Sequence, residues 1–297
     1  MKRVATTIII LNSIIFASRI WASQIAFISL ETPDTEVCII NSDGTNLTNL
    51  TKSPQITNRW PTWSPDGKKI AFVTSVPSQL YLMEADGSNI TLLKDGYNSG
   101  SRPTWSPNGR KIAFGGVNSI FILDVDTKQE ERLFIPIDQC EDAAWSPDGS
   151  RIAFTARVAE DWLNHEIYLV NANGNALRRL TKSAARDSAP AWSPDGQRIA
   201  FFSDRDNKAG IYVMDTDGGN IQRITEGGEN FPSWSPSGDQ IAFSISGDPP
   251  QVGVMRIDGR QKKFLAEGST PAWQPTVFAV DSSDKLISTW GRMKQGF

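Results

Sequence analysis

The sequence predicts an all-β protein: a closed propeller of six blades, each a four-stranded antiparallel sheet. Three observations predict it. Trp-Ser-Pro followed by Asp, Asn or Ser and then Gly begins at Trp63, Trp105, Trp145, Trp192 and Trp234, and a degenerate copy, Trp273-Gln-Pro, closes the series. Ile-Ala-Phe begins at Ile25, Ile70, Ile112, Ile152, Ile199 and Ile241, at spacings of 40 to 47 residues. Between these markers lie short apolar runs bounded by turn residues, and no comparable helical period accompanies them.

The unit from Ile199 to Trp234 shows the reading in order. Its apolar runs are Ile199-Ala-Phe-Phe, Ile211-Tyr-Val-Met, Ile221-Gln-Arg-Ile and Phe231-Pro-Ser-Trp, which are four strands. Ser-Pro-Asp-Gly sets proline where φ near −65° is wanted and glycine where φ must be positive. Asp217-Gly218 turns the chain between the second and third runs, as do Asp43-Gly44, Asp86-Gly87, Asn173-Gly174 and Asp258-Gly259 elsewhere. A four-stranded sheet at this period is a propeller blade. With the Trp segments innermost, the chain opens on a second strand at Ile25 and ends on an inner strand at Trp273. Residues Thr270 to Gln274 are therefore expected to complete the first blade and close the ring, leaving no broken sheet.

The ends differ from this body. Residues 1–22 carry Lys2 and Arg3 before an apolar stretch from Val4 to Phe16, and Ala22 offers a small-residue cleavage site, so they read as a signal peptide. The stretch is too short for a membrane span, which needs about 20 apolar residues. Export to the periplasm or the cell exterior is expected, with residues 23–276 as the propeller and 277–297 as a C-terminal tail. Removing residues 1–22 leaves 27 basic against 33 acidic residues, a net charge of −6. Nucleic-acid partners need a basic face, so none is expected. Two cysteines, Cys38 and Cys140, are too few for a disulfide framework. They fall in non-adjacent blades, Cys140 in a crossover loop, and are expected to remain thiols.

The repeats, from Ile25 to Gln274, resemble those of the TolB-like propellers, a family that includes the periplasmic translocation protein and propellers preceding prolyl oligopeptidase-type catalytic domains. The resemblance implies the fold strongly and the function weakly. The translocation protein carries an α/β domain ahead of its propeller and the peptidases carry a hydrolase domain. Neither is expected in this chain.

Catalysis has little to work with. His165 is the single histidine, and glycine-rich phosphate loops, nucleophile elbows and His-Glu-x-x-His helices are absent from the sequence. No catalytic residue, metal or cofactor is expected. The aspartates Asp204, Asp206, Asp215 and Asp217 lack the spacing of a calcium loop. The six repeat tryptophans are read as packing between blades.

Function is sought where repeats differ, in the loops that ring one channel mouth. The crossovers into the inner strands carry Arg59 with Trp60, then Arg102, then Glu141 with Asp142, then Asp187, then Glu229. Positive residues on one half of the rim and negative ones on the other predict a dipolar mouth. The 47-residue repeat places its extra residues in the loop Arg157 to Glu166, with Trp162 and His165 as further candidates. The expected function is a non-enzymatic, monomeric scaffold binding a protein or peptide partner at this mouth, with no membrane span in the mature chain. A small-ligand or glycan binder is the second reading. A metal- or carboxylate-dependent hydrolase or lyase working in the channel is the third.

Overall fold

The computed structural model describes residues 23–30, 34–52, 56–97, 100–158 and 161–275. The expected signal peptide and the expected tail, 277–297, lie outside them. The described residues form five antiparallel sheets around a channel. One joins Ser269–Trp273, Gln24–Ser29, Glu36–Asn41 and Thr48–Asn49, and the next runs from Asn58–Trp63 to Thr91–Asp95. Two more run from Asp187–Trp192 to Gln222–Arg223 and from Glu229–Trp234 to Lys263–Glu267.

The remaining sheet has six strands, from Thr104–Trp105 to Arg178–Arg179. Counted as hydrogen-bonded sheets, the propeller has five blades among the described residues, which corrects the expectation of six four-stranded ones. The six-stranded sheet contains two Trp segments and two Ile-Ala-Phe segments, because the single strand Glu130–Trp145 pairs first with Lys111–Asp124 and, past Gln139, with Arg151–Val158. Strand Lys111–Asp124 is 14 residues long and strand Glu130–Trp145 is 16. The crossover Phe134-Ile135-Pro136-Ile137-Asp138-Gln139 contains no glycine and is rich in aromatic and β-branched residues that favour extended backbone. Gly115 makes the fusion possible. A Cβ there would lie 2.1 Å from the Cys140 carbonyl oxygen, so only glycine admits the crossing strand. Cys140 is thus a buried strand residue, not a loop residue as the repeat suggested.

The ring closes through its two ends. Ile25 pairs with Trp273, Ala26 with Ala272 and Ile28 with Ser269, and the Gln274 N–H donates to the Gln24 carbonyl at 2.8 Å. This is the seam the phase of the repeat calls for.

Between neighbouring sheets lies the core. Ala26, Ile28, Val37 and Ile39 of the closing sheet pack on Trp63, Ile70, Phe72 and Met83 of the next, and the same arrangement recurs around the ring. Aromatic residues of adjacent strands stack within the sheets, Phe72 on Tyr81 at 5.6 Å and Phe154 on Tyr168 at 5.8 Å between centroids. Phe114 stacks on Phe121 at 5.4 Å. The tryptophans bridge sheets as well: Trp105 Nε1 donates to the Thr62 carbonyl at 3.3 Å, Trp192 to Ala144 at 3.0 Å and Trp234 to Ala191 at 3.1 Å. Trp63 Nε1 has no hydrogen-bond partner among the described residues. Trp192→Phe is therefore expected to cost about 1 kcal/mol more than Trp63→Phe, the worth of one such bond. Urea denaturation of the two variants measures the difference, and equal losses would assign the tryptophans a purely apolar role.

The turns follow one design. Ser146 Oγ donates to Asp148 Oδ1 at 2.5 Å and accepts from the Arg151 N–H at 3.0 Å, while the Ser150 N–H donates to Asp148 at 3.0 Å. Gly149 takes φ of 72°. The Ser146 hydroxyl, followed by the Ser150 amide, holds the Asp148 carboxyl below its ordinary value. A depressed carboxyl stabilises the fold above its ordinary pKa and loses that contribution as pH falls through the folded value. Asn108 fills the same place in the preceding repeat, accepting from Ser106 Oγ at 2.8 Å. Asp148→Asn is accordingly expected to fold, and to be less stable than the parent near neutrality. The gap should close as pH falls below the ordinary carboxylate range in urea titrations, and a gap independent of pH would contradict this assignment.

Candidate functional site

The inner strands position the site through a repeated β-bulge. Pairing shifts register between Arg59 and Thr62, Glu141 and Ala144, Ser188 and Ala191, and Asn230 and Ser233. In each bulge one residue adopts the left-handed conformation: Trp60 at φ 51°, Asp142 at 47°, Ala189 at 54° and Phe231 at 49°. The closing strand repeats it with Thr270 at 53°. Left-handed backbone costs a non-glycine residue about 1–3 kcal/mol, and it persists where the surroundings impose it. A bulge re-aims side chains, and the left-handed residue stands three positions before five of the six repeat Trp residues.

Arg102 holds the corresponding place on the second Trp segment. Its guanidinium lies 5.0 Å from the centroid of the Phe231 ring, on the fifth segment, half a turn of the ring away. Its Nε lies 4.0 Å from Asp142 Oδ1. Burial pulls the Arg102 guanidinium below its ordinary value and the Asp142 carboxylate opposes that shift. Below this crossing the channel encloses about 700 Å³, lined by all six repeat tryptophans. Eleven of the lining residues are prolines, Pro61 and Pro65 in one repeat and their counterparts in the others. Proline brings no N–H, so the wall is poor in backbone donors.

The sequence candidates fall into three groups. Trp60, Arg102 and Asp142 line the channel together, and exposed Arg59 lies over the Trp60 ring at 6.0 Å. Glu141, beside Asp142, is half-buried; burial first and then Asp142 push its carboxyl upward, with Arg157 and Arg186 opposing. Asp187 and Glu229 are buried and already paired. Asp187 Oδ2 accepts from Arg205 at 2.8 Å, and Glu229 is bonded to Lys262 and to the Gly227 N–H. Their charges are spent inside the fold, so they add little to a free negative rim.

His165 is half-buried and pairs opposite Arg157. The extra residues of the longest repeat form no wide loop. They lengthen a hairpin whose strands, Arg151–Val158 and Asp161–Asn171, remain paired to Val158 and Asp161. Trp162 lies on the second of these strands. The same strand carries a network the sequence did not point to: buried Glu166 accepts from Arg179 at 2.6 Å and from the Ser183 N–H at 2.7 Å, and is bonded to Thr181. Phe231, Ala189 and Thr270 were also not among the candidates. Their signal is legible afterwards, since each stands before a proline two residues ahead of a repeat Trp.

Among the described residues no three His, Cys, Asp or Glu side chains gather as a metal site, and no helix is long and apolar enough to cross a membrane. Cys38 and Cys140 are both buried and not joined to each other, and burial raises the Cys140 thiol to about 12.

An all-β propeller with a bulge-built channel mouth is thus the class of this protein. The TolB beta propeller domain family matches residues 74–282, most of the chain, and the protein belongs to that family. TolB from Acinetobacter baumannii superposes with a TM-score of 0.74 at 24% identity, over 86% of this chain and 67% of that one. The putative TolB from Agrobacterium tumefaciens gives 0.68 at 24%, over 82% and 87%. An oligogalacturonate lyase from Vibrio parahaemolyticus gives 0.54 at 14%, over 82% and 72%. At these identities the solved structures speak for the fold alone.

Proposed function

We propose that this TolB-family propeller is a non-enzymatic binding module, exported to the periplasm or beyond the cell, that engages a protein or peptide partner on its channel-mouth face. The observation that carries the reading is the rim of left-handed, non-glycine residues. Backbone strain recurs at the matching position of five inner strands, and two of these residues, Trp60 and Asp142, line the channel. Arg59 and Trp60 give that rim an exposed cation beside an aromatic, the pairing that anchors many interfaces. Membership of the TolB family supports a scaffold role. With Asp187 and Glu229 neutralised, the dipole of the mouth rests on Arg59 and Arg102 against Glu141 and Asp142.

Crosslinking from the native compartment tests the reading. Arg59→Glu and Trp60→Ala are expected to lose the captured partner while Lys128→Glu, in a turn at the opposite end of its sheet, keeps it. Unchanged capture by both rim variants counts against the mouth face. Export is tested by N-terminal sequencing of the mature protein, expected to begin at or within a residue or two of Ser23. A second reading, a small ligand in the channel, is favoured by the 700 Å³ volume, which lies in the usual range of ligand sites.

A further inference from the structure

Arg102 is the one cation among the rim residues that lines the channel itself. Its side chain is 19% exposed, so it has given up most of its water. A guanidinium presents five N–H donors. Among the described residues its contacts are the Phe231 ring face, which accepts no conventional hydrogen bond, and Asp142 at 4.0 Å, the far limit of an ion pair. The other oxygen of Asp142 accepts a long hydrogen bond from Thr155 Oγ1 at 3.4 Å. Arg102 lines the channel, and its terminal amino groups make no hydrogen bond among the described residues. Tryptophan and proline make up most of the surrounding wall, and Asp142 is its one carboxylate. Leaving such a group unmatched is costly, and a planar, two-oxygen acceptor matches it best.

We infer that Arg102 is the anchor of a carboxylate-binding subsite in the channel mouth, taking a free carboxylate carried on an apolar body. The carboxylate meets the guanidinium fork and the apolar body lies against the Trp and Pro wall below. Lysine would not serve equally, because a point charge gives up the bidentate geometry and the stacking on Phe231. The inference deepens the mouth-face reading and rests on it for the direction from which the ligand arrives. Both a chain terminus and an acidic side chain carry the required group.

Three short probes separate these sources: acetyl-Val-Phe with a free C-terminal carboxylate, acetyl-Asp-Phe amide with a side-chain carboxylate, and acetyl-Val-Phe amide with none. Titration into the intact protein is followed by calorimetry and by the fluorescence of the channel tryptophans. At least one carboxylate probe is expected to bind on the order of tenfold more tightly than the amide, the scale of one charge-assisted hydrogen bond. Arg102→Gln should remove that preference and Arg102→Lys should retain part of it, with thermal unfolding confirming that both variants fold. Equal binding of all three probes, no saturable binding of any, or an unchanged preference in Arg102→Gln would overturn the subsite. Its failure is separable from that of the mouth-face reading. Loss of partner capture in Arg59→Glu with no carboxylate preference sinks the subsite alone, and a carboxylate preference with unchanged capture in the rim variants sinks the partner face alone.

Discussion

Trp273→Ala is expected to open the propeller at its seam, with a loss of about 3–5 kcal/mol, the range for truncating a large buried aromatic. Trp273 packs with Ile25, Phe27 and Cys38 of the closing sheet and with Ala242, Val252 and Val254 of its neighbour. Its Nε1 donates to Ser23 Oγ at 2.5 Å and its backbone N–H to Ser233 Oγ at 2.9 Å. Removing the indole leaves a cavity between two sheets and frees the strand that fastens one end of the chain to the other. The loss should appear in urea denaturation, and amide exchange should accelerate in Gln24–Ser29 before it does in Arg198–Ser203. A loss below about 1 kcal/mol, or uniform exchange, would show that the ring holds without its seam.

Gly115→Ala is the second large effect. The added methyl would fall 2.1 Å from the Cys140 oxygen and 2.5 Å from its carbonyl carbon, both backbone atoms with no side chain to swing away. Either the ladder between the two long strands parts or the crossover shifts, at an expected cost of about 3 kcal/mol. Gly96→Ala is the control. A Cβ there meets nothing within 4 Å among the described residues and faces only its φ of 63°, which is worth about 1–2 kcal/mol. Equal losses in the two variants would mean that the crossover yields freely.

Much of this architecture is legible in the residues. Local turn chemistry places the glycines: Gly67, Gly149 and Gly196 take φ of 66–72°, and Gly44, Gly87 and Gly218 take 85°. The phase of the repeat places the seam, since only a closing strand at Trp273 completes the sheet that opens at Ile25. The number of sheets is not legible, because a period counts units and says nothing of whether hydrogen bonding lapses between them. That depends on Phe134 to Gln139 staying extended beside Gly115, a contact between segments 25 residues apart.

The site was legible in part for a related reason. Trp60, Arg102 and Asp142 are recognisable as rim residues by their distance from each Trp. Asp187 and Glu229 sit only two positions before their bulges, yet they face Arg205 and Lys262 within the fold. The bulge changes which way successive residues point, and strand alternation read from sequence does not carry across it. The partnership of Arg102 with Phe231 needs the closed ring, which sets the second and fifth segments face to face.

The prolines of the channel wall bear on more than ligand chemistry. Five of the six Trp segments stand at the edge of their sheet, and an extended peptide entering the channel would ordinarily be drawn in as one more strand. Pro61, Pro65 and their counterparts deny it the amide donors it would need. Whatever enters must be recognised by its side chains or its end group, in any strand register. The mouth can thus exchange one rim residue for another over evolutionary time without turning its own interior into a template for aggregation.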